Sequence, residues 1–463
     1  MHTKKTFLVT MIVAICLILG SFSVAAQSDP VTIRWFVGLG TGGQPEQVAA
    51  QEAVVEEFNA MQDDIRLEVE IVDNTVAYDT LGTLIATGEA PDIVGPVGLD
   101  ASNSFAGQYL DLAPLVEETG YDLSQFDEAA VDAYRTSEGL IGLPFATFPS
   151  FIFYRPSHFD DAGLNYPPQE FGAPYVMPDG TEVEWNLETM REIAMELTVD
   201  SEGYFATEDE FAPENTEQWG YASQWNDVRG YATLCGAANP IDDEGNAVLP
   251  ESWEACLNWH YDGIWEDQFI PSDPEVNSDL LGGAPLASGN VSMVHSHLWM
   301  TCCLGDGDLS EDWNIAVVPT YEGEYTAKLH GDTFRVLNST DHPEEAFEVL
   351  TYLLGEASPQ LLQVYGGMPA RAEEREDFFA GLDERFPQGV NWDVARESLA
   401  YADSPNHESI LPNYNRVKDR IDSFQSLMQG TEGLDLNAEL EQLTSDLDAL
   451  YAGVGEEEVE TES

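Results

Sequence analysis

Alternation between strand and helix patterns near the start of the chain does most to limit what this sequence can fold into. Residues 31–37 are β-branched and aromatic and predict a strand, and the segment from Pro45 carries apolar residues along one helical face. Residues 65–71 alternate apolar and charged side chains, which predicts a second strand. A helix stopped by Gly88 and a third strand at residues 90–94 follow. Strands separated by helices in this way favour an α/β fold with parallel strands.

Further motifs follow along the chain in a fixed order. They are Gly88–Val94, Asp111–Leu115, Gly139–Phe145 with Phe151–Arg155, Trp185–Met190, Gly289–Trp299, Trp313–Pro319, Pro343–Leu350 and Gly366–Arg371. Their order and spacing resemble those of family 1 extracellular solute-binding proteins, the sugar-binding components of ABC importers that include the maltose-binding protein. In this resemblance Trp299 takes the place of a cleft tryptophan that stacks on a sugar ring.

The resemblance implies a two-lobed periplasmic-binding-protein fold, with a mostly parallel sheet flanked by helices in each lobe and a ligand cleft between the lobes. Lobe 1 is expected at residues 31–145 and 316–366, and lobe 2 at residues 146–315 and 367–452. The chain is expected to cross between the lobes near residues 144–150, 313–319 and 365–371.

The resemblance also implies a set of cleft residues. Aromatic platforms and polar side chains suit a sugar, which offers apolar ring faces and a rim of hydroxyls. Packing alternatives remain open: Trp35, Trp225 and Trp299 could be core residues, Phe148 a packed hinge residue, and Asp332 a helix cap or a partner of Arg335. The candidates are Trp35, Phe36, Phe148, Trp225, Asn226, His297, Trp299, His330, Gly331 and Asp332.

Four cysteines follow the N-terminal segment, namely Cys235, Cys256, Cys302 and Cys303. In an oxidising compartment an even number predicts disulfides, and four cysteines allow three pairings. We favour one bridge, Cys235 to Cys256, although the vicinal pair makes two bridges conceivable. A metal site made from His295, His297 and the vicinal cysteines lacks the spacing typical of zinc ligands, so neither a metal nor a cofactor is predicted.

The two ends of the chain differ from the rest. Residues 1–26 have a short basic start, an apolar run and small residues at the end, which is the pattern of a cleaved secretory signal. Residues 453–463 are acidic and are expected to be a disordered tail. The mature protein is therefore expected to be secreted across the cytoplasmic membrane, to the periplasm or the cell exterior.

Charge excludes two classes of partner. The chain has 17 Lys and Arg residues against 85 Asp and Glu residues, a formal net charge of −68. Nucleic acids and anionic lipids are bound through Lys and Arg, so neither is an expected partner. The acidity also suits a salt-rich habitat, in which charge repulsion is screened.

Enzyme motifs such as G-x-S-x-G and H-E-x-x-H do not occur, and Gly38–Gly43 lacks the spacing of a phosphate-binding loop. We interpret that loop as one that lets the backbone approach a ligand or another strand. The predicted function is to capture a sugar or oligosaccharide and deliver it to the permease subunits of an ABC importer, as a monomer and without catalysis. A polyol, a polyamine or a peptide is an alternative ligand, and a secreted carbohydrate-active enzyme is a further alternative.

Overall fold

The computed structural model describes residues 30–126, 128–136, 138–224, 226–304 and 312–453. The predicted signal at residues 1–26 lies outside this part of the chain, as does the predicted tail apart from Gly453. Within the described residues, no helix is long and apolar enough to cross a membrane.

The strands agree with the predicted ones where the sequence pattern was strongest. In chain order they are β1 Val31–Val37, β2 Ile65–Ile71, β3 Ile93–Val97, β4 Arg135–Thr136, β5 Gly139–Leu140, β6 Leu143–Tyr154, β7 Tyr175–Val176, β8 Glu182–Val183, β9 Val199–Asp200, β10 Thr216–Ser223, β11 Val291–His297, β12 Asn314–Ala316, β13 Leu329–Val336 and β14 Met368–Pro369.

One large mixed sheet runs through the protein in the order β2-β1-β3-β13-β6-β11-β10-β9. The pairs β1–β2, β1–β3 and β10–β11 are parallel, and they form the expected α/β units at the two ends of the sheet. Strand β13 runs antiparallel to both β3 and β6. It therefore joins the first half of the sheet, which contains β1, β2 and β3, to the second half, which contains β9, β10 and β11. The α/β fold inferred from the alternating pattern is confirmed.

Strand β6 is shared by both halves. Its residues 143–149 pair with β13, and its residues 150–154 pair with β11. The short strands β12 and β14, which lie in the other two predicted crossings, also pair with β6. The predicted lobe boundary at residue 145 therefore falls inside a continuous strand, and the division into lobes stays a prediction.

Helices cover the sheet on both faces. In chain order they are α1 Pro45–Met61, α2 Asn74–Thr87, α3 Leu99–Asn103, α4 Ala113–Thr119, α5 Glu128–Asp132, α6 Pro156–Ala162, α7 Leu187–Glu196, α8 Val228–Ala232, α9 Glu251–Trp265, α10 Asp273–Val276, α11 Pro285–Ser288, α12 Pro343–Leu354, α13 Ser358–Tyr365, α14 Arg375–Arg385, α15 Asp393–Ser398, α16 Tyr414–Gly430 and α17 Leu436–Tyr451.

Helices from late in the sequence complete the first half. The Tyr352 hydroxyl on α12 donates a hydrogen bond to the Val54 carbonyl on α1 (3.1 Å), and Gln51 Nε2 on α1 donates to the Tyr365 hydroxyl on α13 (3.0 Å). In the second half, α9, α16 and α17 bury a separate apolar cluster that includes Leu440 and Leu443. The first half is therefore discontinuous in sequence.

Candidate functional site

Two adjoining cavities lie where the halves of the sheet meet. We call the larger, of about 580 Å³, the aromatic cavity; its lining includes Gly40–Gln44, Tyr78, Trp299, Cys302, Cys303, Asp332 and Tyr365. We call the smaller, of about 380 Å³, the acidic cavity; its lining includes Asn226, Asp227, Asp273, His407, Lys418 and Asp422. Asp100, His330 and Glu408 line both cavities.

A glycine-rich loop forms one wall of the aromatic cavity. Gln47 on α1 accepts a hydrogen bond from the Gly42 amide (3.0 Å), and Gln51 donates to the Gly42 carbonyl (3.0 Å). At Gly42, where φ is +98°, an added Cβ would lie 2.1 Å from the Val37 side chain, so only glycine fits. The loop therefore presents backbone to the cavity, as the sequence suggested.

Trp299 forms the opposite wall. It lies in the turn Leu298–Cys302 that directly follows β11, and it is half-buried. The ring of His297 stacks on its indole at 4.1 Å, and the rings of Phe148 and His330 lie 5.5 and 4.7 Å away. These contacts hold a flat ring at the wall of a cavity whose lining mixes apolar, aromatic and polar groups.

Four side chains lie in close contact where the two cavities adjoin. His330 Nδ1 lies 2.9 Å from a Glu408 carboxylate oxygen, and His407 Nδ1 lies 2.7 Å from a carboxylate oxygen of Asp403. The Nε2 atoms of the two histidines are 3.1 Å apart. Burial raises the pKa of Glu408, but His330 and His407 together act in the opposite direction and the net pKa is lowered. Atoms suited to metal ligation on His330, His407 and Glu408 all lie within 4.8 Å of one another.

Two further charged groups near this boundary have shifted pKa values. Burial, reinforced by the charge of Glu408, raises the pKa of Asp332 to about 7. Burial lowers the pKa of Lys328 to about 7, although Asp227 and Asp403 act in the opposite direction. Lys328 Nζ donates to the side-chain oxygen of Asn226. Near neutral pH these two groups are therefore only partly charged.

Carboxylates dominate the acidic cavity. Lys418 lies 3.2 Å from Asp422 and 3.7 Å from Asp100, and Asp100 also accepts a hydrogen bond from the Tyr414 hydroxyl. Burial, followed by the charge of Glu408, raises the pKa of Asp100. The Asp227 side chain caps α8 by accepting from the Gly230 amide (2.7 Å). The negative groups outnumber the positive ones, so the cavity favours a cation.

Two predicted ligand residues are in the core instead. Trp35 and Phe36 are fully buried, and the Trp35 indole donates to the Gly95 carbonyl (2.6 Å). Both lie on β1, which has a strand on each side, and they pack into two different apolar clusters, Trp35 with residues of α1 and Phe36 with residues of α2, so neither side chain reaches the cavities. The packing alternative for Trp35 is the correct one, and the assignment of Phe36 as a ligand residue is wrong.

The remaining candidates divide between the cavity linings and the layer behind them. Trp299, His330 and Asp332 line the aromatic cavity, and Asn226 lines the acidic cavity. Phe148 and His297 are buried and support Trp299 from behind; burial lowers the pKa of His297 well below its usual value.

The remaining residues named from the sequence are Gly331, Arg335 and Trp225. Gly331 is half-buried on β13 beside the Tyr134 hydroxyl. Arg335 lies over the rings of Tyr109 and Tyr134, so it offers no support for the proposed pairing with Asp332. Trp225 lies outside the described residues.

Cys235 and Cys256 form a disulfide, with their Cα atoms 5.8 Å apart, which is the pairing that the sequence favoured. Cys302 and Cys303 are free thiols on the aromatic cavity wall. Among the described residues, His295 and His297 do not form a cluster of possible metal ligands with these two thiols.

Sequence reasoning missed Asp403, His407 and Glu408. They lie in the segment between α15 and α16, which has no strand or helix periodicity and matches no ligand motif. The only available signal was the presence of histidine and carboxylate side chains close together in a loop of a histidine-poor chain.

Comparison with known proteins gives a consistent family and fold. Residues 42–358 match the profile of the bacterial extracellular solute-binding proteins. A Streptomyces antibioticus protein described as an uncharacterized lipoprotein is 28% identical over 181 residues, and the match spans 39% of each chain.

Solved structures with the same fold cover nearly the whole protein. The ABC substrate-binding protein Lmo0181 of Listeria monocytogenes, in complex with cycloalternan, has a TM-score of 0.71 at 18% identity, over 90% of this chain and 98% of that one. Maltose-bound MalE3 of T. maritima has a TM-score of 0.67 at 17% identity, over 90% and 99%. The cyclic alpha-maltosyl-1,6-maltose binding protein of Arthrobacter globiformis has a TM-score of 0.66 at 15% identity, over 92% and 100%.

Proposed function

Because this chain belongs to the bacterial extracellular solute-binding proteins, we propose that it captures a sugar or oligosaccharide in the aromatic cavity and delivers it to the permease subunits of an ABC importer. It acts outside the cytoplasmic membrane, as a monomer. Closure of lobe 1 (residues 31–145 and 316–366) on lobe 2 (residues 146–315 and 367–452) buries the sugar.

The position of Trp299 carries this proposal. A half-buried indole forms one wall of a cavity of about 580 Å³, and exposed glycine-loop backbone forms the other. The indole face suits the apolar face of a pyranose ring, while Asn74, Tyr78 and Asp332 supply hydrogen-bonding groups for its hydroxyls. A cavity of this size accommodates a small saccharide.

The sugars bound by the structural relatives support the same class of ligand. The Listeria protein is in complex with cycloalternan, and the T. maritima protein holds maltose. Both are binding proteins, and we infer that this protein likewise leaves its sugar chemically unchanged.

The acidic cavity favours a second candidate, a polyamine. It is lined by Asp100, Asp227, Asp273, Asp422 and Glu408, with Lys418 as its one lysine. Several carboxylates around a small cavity suit a ligand with two or more ammonium groups separated by apolar links.

A thermal-shift screen tests the two candidates together. Mono- and oligosaccharides, polyols, polyamines and short peptides would each be added to the mature protein. A ligand present at a hundred times its Kd adds about 2.7 kcal/mol to the free energy of unfolding. We expect stabilisation by one group of saccharides, and stabilisation by polyamines alone would overturn the sugar proposal. Assay of new reducing ends after incubation with oligosaccharides checks for catalysis, and their appearance would contradict a binding role.

A further inference from the structure

Two histidine rings meet edge to face where the aromatic and acidic cavities adjoin. His330 lies on β13 and His407 on the segment that precedes α16, and their ring centroids are 4.7 Å apart. Their Nε2 atoms are separated by 3.1 Å. His330 lines both cavities and His407 lines the acidic one, so the space beside the pair is open to incoming solutes.

The other nitrogen of each ring is occupied. His330 Nδ1 lies 2.9 Å from Glu408 and His407 Nδ1 lies 2.7 Å from Asp403. An ionised carboxylate only accepts hydrogen bonds, so each Nδ1 carries a hydrogen. In the neutral rings both Nε2 atoms then carry an in-plane lone pair, and the two atoms are only 3.1 Å apart. This arrangement is repulsive unless a positive species, either a proton or a metal ion, lies between them.

Charge balance and geometry favour the metal ion. The Asp403 and Glu408 side chains are 0% and 11% exposed, so the pair of carboxylates brings two buried negative charges to the two rings. A divalent ion neutralises more of this charge than one shared proton does, and the buried Lys328, which also interacts with both carboxylates, supplies part of the remainder. Two nitrogens bound to a tetrahedral Zn²⁺ at ordinary bond lengths lie about 3.3 Å apart, close to the 3.1 Å observed.

Carboxylates that orient histidine ligands are also a recurring feature of metal sites. A carboxylate fixes the ring and its tautomer, so that the free nitrogen points at the ion. Here both rings are held in this way, by Glu408 and by Asp403. A shared proton does not require both rings to be fixed in orientation in this way.

We propose that His330 and His407 bind a divalent transition-metal ion, of the Zn²⁺ type, through their Nε2 atoms. Imidazole nitrogen selects such ions over Mg²⁺ and Ca²⁺, which prefer oxygen. Asp403 and Glu408 hold the rings and are positioning residues. The remaining coordination positions face the cavities and are open to water or to oxygen atoms of a solute.

Calorimetric titration of the chelator-treated mature protein with Zn²⁺ tests the site, in the presence of excess Mg²⁺ to occupy surface carboxylates. We expect one Zn²⁺ to bind per chain. The titration contains no sugar, so its failure would leave the proposed function untouched.

Variants locate the bound ion. His330→Ala and His407→Ala should each abolish binding, and Asp403→Asn should weaken it by about 10- to 100-fold. The exposed His342 provides the matched control, since His342→Ala should change nothing. A variant with Cys302→Ser and Cys303→Ser should still bind. No Zn²⁺ uptake by the wild-type protein, or uptake unchanged in both ligand variants, overturns the proposal.

Should the ligand variants fail to fold, Co²⁺ bound to the wild-type protein gives an independent answer. Visible absorption of the intensity expected for a four-coordinate ion with nitrogen ligands supports the site. The weak absorption of a six-coordinate ion with oxygen ligands overturns it.

Discussion

The two cavities share Asp100, His330 and Glu408 but offer a solute different kinds of contact. The aromatic cavity offers an indole face and glycine-loop backbone, which suit shape and hydrogen bonding. The acidic cavity offers carboxylates, which suit charge. Because the cavities adjoin at these shared residues, a ligand that depends on the indole and a ligand that depends on charge should respond differently to the same change.

Removal of the Trp299 indole should have the largest effect. Trp299→Ala is expected to weaken sugar binding by about 2 kcal/mol, or roughly thirtyfold in Kd, while the melting temperature of the ligand-free protein falls little. Trp313 is a matched control because it is 2% exposed in the core. Trp313→Ala should lower the free energy of unfolding by about 3 to 5 kcal/mol. Calorimetry and thermal melts measure both, and a large fall in melting temperature for Trp299→Ala with unchanged affinity would contradict the platform role.

The second largest effect is expected from lower pH, which should weaken polyamine binding in the acidic cavity more than sugar binding in the aromatic cavity. Burial is the main cause that raises the pKa of both Asp100 and Asp422, so these groups become neutral at a higher pH than an ordinary aspartate. Attraction for a polyamine is present near pH 7 and is lost as the pH falls toward these raised pKa values. We expect an affinity loss approaching tenfold between about pH 6 and pH 4. The affinity for a neutral sugar should fall less over the same range. An equal fall in both affinities would contradict separate binding in the two cavities.

A single substitution in the acidic cavity should act more weakly. The Asp422 side chain is 48% exposed and pairs with Lys418 at 3.2 Å. Asp422→Asn should weaken polyamine binding by at most about 1 kcal/mol, which is up to fivefold, with a larger effect at low salt. Sugar affinity should not change. An equal loss of sugar affinity would show that one site serves both ligands.

The smallest expected effect is the protection of Cys303 from alkylation by bound sugar. Cys303 is exposed on the aromatic cavity wall, and the hydrogen bond from Cys302 lowers its pKa, which favours the reactive thiolate. Bound sugar should slow alkylation of Cys303, and a bound polyamine should not. Mass spectrometry after timed alkylation measures the rates, with the Cys235–Cys256 disulfide as an unreactive internal control. Equal protection by both ligands would contradict separate cavities.

The sequence predicted the fold better than the site because the fold depends on short-range patterns. Strand and helix periodicities located β1, β2, α1 and α2, and Gly88 ends α2 in a left-handed conformation as expected. The order of family motifs picked out the segments that form β6, β12 and β14, and the two short strands pair with β6. Trp299 was found because it directly follows a recognisable strand.

The errors and omissions arise because tertiary packing cannot be read from local sequence patterns. Trp35 and Phe36 were misassigned because a strand covered on both faces has no side that faces solvent. His407 and Glu408 were missed because only tertiary contacts bring their loop to β13, 77 residues away for the His330–His407 contact. Local periodicity carries no information about such contacts.

Strand β13 has a consequence for the order of folding. It lies between β3 and β6, yet its residues come at positions 329–336. A nascent chain that ends before this point leaves strand edges without their final partner, and such edges invite mispairing. Pairing across so many residues is also slow. The complete sheet therefore forms only after residues 329–336 have been synthesised, whereas the parallel unit of β1, β2 and β3 has its pairing partners beforehand.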